Sequence, residues 1–200
     1  MKIIDIFPTP LGCYELGREF SEEEINFLKN QEWRQMIGNF GSVNTDLLNH
    51  KELSKIRLFI EECLKDYLTL TINPIDGNEF YITQSWANVT APKQHHHGHV
   101  HQNSIVSGVL YISAEDGKDG ILFTNEDNKY KRIQLDTKEP TSYNSAKFVH
   151  VKTGDLLFFP SETEHLVQET ISSSERVSLA FNTFVRGDIG LKDSYAELQL

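Results

Sequence analysis

Cysteine is nearly absent. Cys13 and Cys63 are the only two in 200 residues, and no CxxC pair occurs. That leaves no basis for a disulfide framework or a thiolate zinc site, and both read as ordinary reduced thiols. Long apolar runs are also missing: no segment approaches the roughly 18 residues that would span a bilayer. Asp5 and Pro8 interrupt the start of the chain before a signal-peptide core could form, so the sequence reads as that of a cytoplasmic protein with no membrane partner. Basic side chains are in deficit, 19 against 29 acidic ones, for a net charge of −10. This argues against broad binding to nucleic acid or anionic lipid. The one basic run, Lys129-Tyr130-Lys131-Arg132, reads as a solvated strand edge. A more local absence bears on chemistry: residues 80–114 contain no Asp or Glu at all.

What is present suits one domain over 1–200, with helical support at about 18–70 and a β core at about 79–186. Ser21-Glu22-Glu23-Glu24 has capping-box spacing, and Ile25 and Leu28 follow at helical intervals. A second start is offered at 49–52. From there Leu53, Ile56, Ile60, Leu64, Tyr67 and Leu68 recur at three and four, an amphipathic helix closed by Asn73-Pro74 and Asp76-Gly77. Beyond residue 79 the pattern changes. Segments 80–89, 105–112, 121–124, 146–151, 156–159, 164–169 and 177–185 are short, β-branched and aromatic, with turns between them. The polar stretch 136–145 reads as a loop or lid. The fold class expected is mainly β (α+β): a double-stranded β-helix (jelly roll, cupin-like) braced by N-terminal helices.

Histidine is crowded into one place. Five of eight lie at 95–101, where chance would put about 0.3. In an extended chain alternate side chains share a face, so His95, His97, His99 and His101 align, and an H-x-H pair can grip one metal ion. Such a tract also suits a surface that captures metal adventitiously. His165, which follows the apolar strand 156–159 and a turn, adds a distal third donor. An H-x-H pair before one strand and a lone His after another make a three-ligand facial site with open coordination positions. Two registers stay available, His99/His101 and His97/His99. His95 and His96 read as surface or outer residues, and His50 and His150 as structural or solvated.

The segment from His99 through Ser107-Gly108-Val109-Leu110-Tyr111-Ile112 resembles the HxHPxxxxSGVYYV block of a 2-oxoglutarate/Fe(II)-dependent oxygenase family. Residues 154–165 resemble its GxLxLFPSxxxH block, Arg176 to Asn182 its closing RxSxxFN block, and Trp86-Ala87-Asn88 also matches. The resemblance implies a jelly-roll oxygenase: a non-haem Fe(II)- and 2-oxoglutarate-dependent dioxygenase that uses O2 and hydroxylates a C–H bond with release of succinate and CO2. It implies His99, His101 and His165 as the metal-binding catalytic residues, the His99/His101 register following from its distance to the SGVLY block. It implies Arg176 as the partner of the distal carboxylate of 2-oxoglutarate, where a planar guanidinium offers two parallel hydrogen bonds. Tyr111 matches a position whose hydroxyl lies near that carboxylate. Ser178 and Asn182 share a face with Arg176, and Asn88 and Trp86 share one on the preceding strand. Asn88, Ser178 and Asn182 are expected to line the co-substrate pocket, with core packing favoured for Trp86.

One departure stands out. The usual iron site of such oxygenases is two histidines and a carboxylate in an H-x-D pair, and here the Asp position is His101. Two further readings therefore stand. One is a cupin-like three-histidine metalloenzyme without 2-oxoglutarate, of thiol dioxygenase or isomerase type, in which Arg176 holds a substrate carboxylate. The other is a non-catalytic metal-binding β-barrel. A small-molecule or peptide substrate is expected in the enzymatic readings, and the oligomeric state stays open, a homodimer among the options.

Overall fold

Ser21 begins the first helix as its spacing requires. Its hydroxyl accepts from the Glu24 backbone N–H at 3.2 Å, while the Glu24 carboxylate accepts from the Ser21 N–H at 2.8 Å. The computed structural model describes residues 1–124, 138, 141, 146–191, 193 and 195–200. The basic run 129–132, and all but 138 and 141 of the stretch 136–145, lie outside the described residues. After α1 (Glu22–Lys29), the second helix, α2, spans Ser54–Thr71. The expected start at 49–52 is instead two 3-10 turns, Leu47–Asn49 and Lys51–Leu53, and no side chain caps α2. Among the described residues no helix is long and apolar enough to cross a membrane.

The strands are β1 (Gly12–Glu15), β2 (Trp33–Gln35), β3 (Phe40–Ser42), β4 (Glu79–Thr90), β5 (His96–His99), β6 (Val106–Ser113) and β7 (Gly120–Phe123), then β8 (Lys147–His150), β9 (Asp155–Pro160), β10 (His165–Val167) and β11 (Arg176–Arg186). A seven-stranded sheet runs in the order β1-β9-β6-β11-β4-β3-β2, and a four-stranded sheet in the order β5-β10-β7-β8. All pairings within these sheets are antiparallel. This is the double-stranded β-helix. A small C-terminal hairpin pairs Asp188–Ile189 with Leu198–Gln199.

Two apolar clusters follow from strand alternation. The outer face of the large sheet carries Leu110, Phe158, Leu179 and Phe181, which pack on Ile56, Ile60 and Leu64 of α2. Full burial of each of these helix residues stabilises by about 1.5–3 kcal/mol. The inner face carries Val109, Tyr111, Leu157, Phe159 and Ala180, which meet Ile121 of the small sheet. The polar residues Arg176, Ser178 and Asn182 also face inward and are buried, so the polar face of β11 is the barrel interior and not a solvated one.

Gly108 pairs with Phe181 across β6 and β11. A Cβ there would lie 2.1 Å from the Phe181 ring, in a packed core. The Gly108→Ala variant is therefore expected to lose about 1–3 kcal/mol through overpacking, read as a lower urea midpoint at unchanged m-value.

Candidate metal centre

His99 ends β5 and His165 opens β10, and the two are register partners across the small sheet. His101 follows in the loop, where its backbone N–H donates to Ser161 O at 2.9 Å. Their donor atoms all lie within 4.8 Å of one another. The two Nε2 atoms of His99 and His101 are 3.2 Å apart.

Each Nδ1 faces an oxygen: His99 to His97 O at 2.9 Å, His165 to Thr163 O at 3.0 Å and His101 to Asn182 Oδ1 at 2.7 Å. Carbonyl and amide oxygens only accept, so each Nδ1 carries the proton and each Nε2 presents a lone pair inward. Outer partners of this kind orient metal-binding imidazoles. Asn182 Oδ1 also accepts from the Ser107 hydroxyl at 3.0 Å, which extends the support to Ser161.

Burial holds the rings neutral. It pushes His101 down to about 4 and His165 to about 3, and it lowers His99 as well. His96, stacked on His99 with ring centroids 4.7 Å apart, is pushed down to about 3 by the same cause. Three converging neutral imidazoles suit a transition-metal ion, iron among them. Among the described residues no carboxylate joins the group; Glu164, next to His165, accepts from the Thr124 hydroxyl instead.

These shifts set a pH dependence. In unfolded chains the same histidines titrate near 6.5. Stability from the buried neutral rings of His101 and His165 is therefore complete above about pH 6.5 and is lost as pH falls toward their folded values of about 4 and about 3. His165 alone should contribute a slope of about 1.4 kcal/mol per pH unit below pH 6. Urea midpoints of chelator-treated protein at successive pH values should fall accordingly, and His165→Gln should flatten the slope.

The histidines share a cavity of about 370 Å³ with Arg176, Ser178, Asn88 and Asn182. Arg176 opens β11 and is 3% exposed. Its guanidinium carbon lies 5.0 Å over the Tyr111 ring, and it makes no ion pair among the described residues. The Arg176 Nε and the Tyr111 hydroxyl are both buried, and among the described residues neither meets hydrogen-bond geometry with a partner, the two groups lying beside each other.

Some expectations change. His96, expected as a surface or outer residue, takes the outer place: it lines the cavity against His99 and is no member of the three-histidine group. His97 also lines it without joining the three-histidine group. Adjacent residues of one strand both face inward here, and the β5–β10 register slips between His165 and Val167. His95 is exposed, with its backbone N–H bonded to Gly38 O. Asn182 faces the cavity but spends its Oδ1 on His101 and Ser107. Trp86 lines the cavity 5.6 Å from the His101 ring. His50 contacts Asn44 and Phe27, and His150 packs on Phe148. Cys13 and Cys63 are free. The sequence reading missed Arg34, Met36 and Gln84 at the cavity mouth, which sit in no motif.

The structure is a double-stranded β-helix that brings three histidines together at one cavity. Residues 84–182 match the sequence model of a family described as "Putative 2OG-Fe(II) oxygenase". Solved structures share the fold. HygX from Streptomyces hygroscopicus, with nickel and 2-oxoglutarate bound, gives a TM-score of 0.60 at 11% identity over 88% of this chain and 82% of its own. The non-heme alpha ketoglutarate dependent carbocyclase SnoK from nogalamycin biosynthesis gives 0.57 at 15% over 92% and 85%. A Pseudomonas putida prolyl-4-hydroxylase gives 0.53 at 14% over 87% and 92%. No curated protein sequence matches.

Proposed function

We propose that the protein is a non-haem Fe(II)- and 2-oxoglutarate-dependent oxygenase that hydroxylates a C–H bond. One observation carries the reading: Arg176 is a buried cation that no anion among the described residues pairs with, in the same cavity as the three histidines. A buried guanidinium without a counter-charge costs several kcal/mol. A carboxylate at that point offsets the cost, and the unpartnered Tyr111 hydroxyl is available to donate to it.

His99, His101 and His165 would hold the metal through Nε2 on one side, which leaves the cavity side open for ligands. When bound, Fe(II) with 2-oxoglutarate and O2 supplies the oxidising chemistry: co-substrate goes to succinate and CO2, and one oxygen atom enters the substrate C–H bond. Arg176 would orient the co-substrate by its distal carboxylate, with Ser178 and Asn88 beside it. Asn182 would act through His101, fixing its tautomer. Phe123 and Phe159, packed on the His165 ring, would keep water from that side.

The donor set favours a second reading. Without a carboxylate the metal keeps its full positive charge, which suits a cupin-like enzyme that binds an anionic substrate directly and uses no 2-oxoglutarate. Arg176 would then hold the substrate's carboxylate. The deciding experiment is an anaerobic 2-oxoglutarate titration of Fe(II)-loaded protein, followed by O2 and assay of succinate. Saturable binding with succinate formed per O2 consumed supports the oxygenase. Metal binding with no affinity for 2-oxoglutarate supports the second reading.

A further inference from the structure

The cavity has a second arginine, far from the first. Strand pairing places Arg34 opposite Gly41, Gly41 opposite Asn88, Asn88 opposite Ser178, and Ser178 opposite Tyr111. Paired residues share a face, so this row runs from the sheet edge to the barrel interior on one side. Arg34 therefore points to the same face as the co-substrate residues. Gly41 leaves the face open between Arg34 and Asn88; the nearest atoms to a Cβ there would be Met36 Cγ at 3.4 Å, Met36 Sδ at 3.7 Å and Asn88 Oδ1 at 3.8 Å, ordinary contact distances.

The two guanidinium groups do not converge. The backbones of β2 and β11 lie three strands, roughly 14 Å, apart. The Arg176 head turns over Tyr111 on β6, the neighbour of β11 on the side away from β2. One small anion cannot bridge them. The Arg34 side chain is exposed at the mouth, with no hydrogen bond or ion pair to any described residue. The charge around it is one-sided: among the described residues no Asp or Glu lines the cavity, where the composition would place about three. Asn88 is 8% exposed, and its amide bonds to no other described residue.

The geometry points to Arg34 as the specificity-determining residue of the outer cavity, and to a substrate that carries a carboxylate or phosphate group on the end facing away from the reacting bond. Arg34 grips that group at the mouth and Asn88 offers a neutral donor inward of it. The assignment rests on the reading above, in which Arg176 is committed to the co-substrate.

The test uses three ring compounds of one size: phenyl phosphate, benzoate and neutral benzamide. Each is titrated calorimetrically into Zn(II)-loaded protein, with and without saturating 2-oxoglutarate. The anions are expected to bind in the presence of 2-oxoglutarate and benzamide about tenfold more weakly or not at all. The Arg34→Gln variant should lose about tenfold in anion affinity, Arg34→Lys should recover part of it, and Arg34→Glu should reject the anions and bind benzylammonium instead. The stronger anion identifies phosphate or carboxylate as the native group. The assignment is overturned if benzamide binds as well as the anions, if none of the three binds, or if Arg34→Glu leaves anion affinity unchanged. Failure of 2-oxoglutarate itself to bind overturns the co-substrate reading instead. The arm without it, compared between Arg34→Glu and Arg176→Gln, then decides Arg34 separately.

Discussion

Arg176→Gln is expected to weaken 2-oxoglutarate binding by about a hundredfold or more and to abolish succinate formation at ordinary co-substrate concentrations. Removing one partner of a buried, hydrogen-bonded charge pair costs about 2–5 kcal/mol, and about 1.4 kcal/mol is a factor of ten in affinity. The loss should sit in co-substrate affinity and not in metal affinity, because Arg176 is no member of the three-histidine group. Arg176→Lys keeps the charge but not the planar fork, and should fall between the two. Calorimetry with 2-oxoglutarate and metal analysis on the same samples separate the effects. Unchanged 2-oxoglutarate affinity in Arg176→Gln would sink the assignment. The variant is not expected to unfold, since it replaces a buried cation that no described anion balances.

His165→Ala should lower divalent-metal affinity by about two to three orders of magnitude. Structural metal sites of four ligands bind with apparent energies of about 10–16 kcal/mol, which puts a single ligand at about 2.5–4 kcal/mol. His97→Ala should change metal affinity only a few-fold, because the backbone carbonyl that orients His99 survives the substitution. Competition with a chromophoric chelator measures both. Equal losses in the two variants would mean that the metal uses the His97/His99 register.

Much of this site is local in sequence. Histidines at 99 and 101 with a distal one at 165, a missing acid over 80–114, and Arg176, Ser178 and Asn182 alternating on one strand are all visible without a fold. So is α1, because the Ser21–Glu24 capping box closes within four residues. The apolar spacing of α2 needs no partner to be read, although its start does: residues 47–53 tighten into 3-10 turns where Leu48 N donates to the distant Ser85 hydroxyl at 2.8 Å. Strands β2 and β3 were not legible. Three residues each carry no usable alternation, and they are strands only because β3 pairs with β4 and β2 in turn with β3.

The sequence by itself determined the donor types, their order and the strand alternation that gathers polar groups on one face, since these depend on residue identity and on a period of two. Tertiary structure decided which donors meet. Three overlapping H-x-H pairs run through the tract, at 95/97, 97/99 and 99/101, and His101 is brought in by the side chain of Asn182, 81 residues away, and by its closeness to His99 and His165. His96 enters the cavity through a register slip between β5 and β10. Arg34 enters it through a cross-strand row that runs through Gly41, Asn88 and Ser178 to Tyr111. Such placements are set by long-range backbone pairing, whose register no short stretch of sequence encodes.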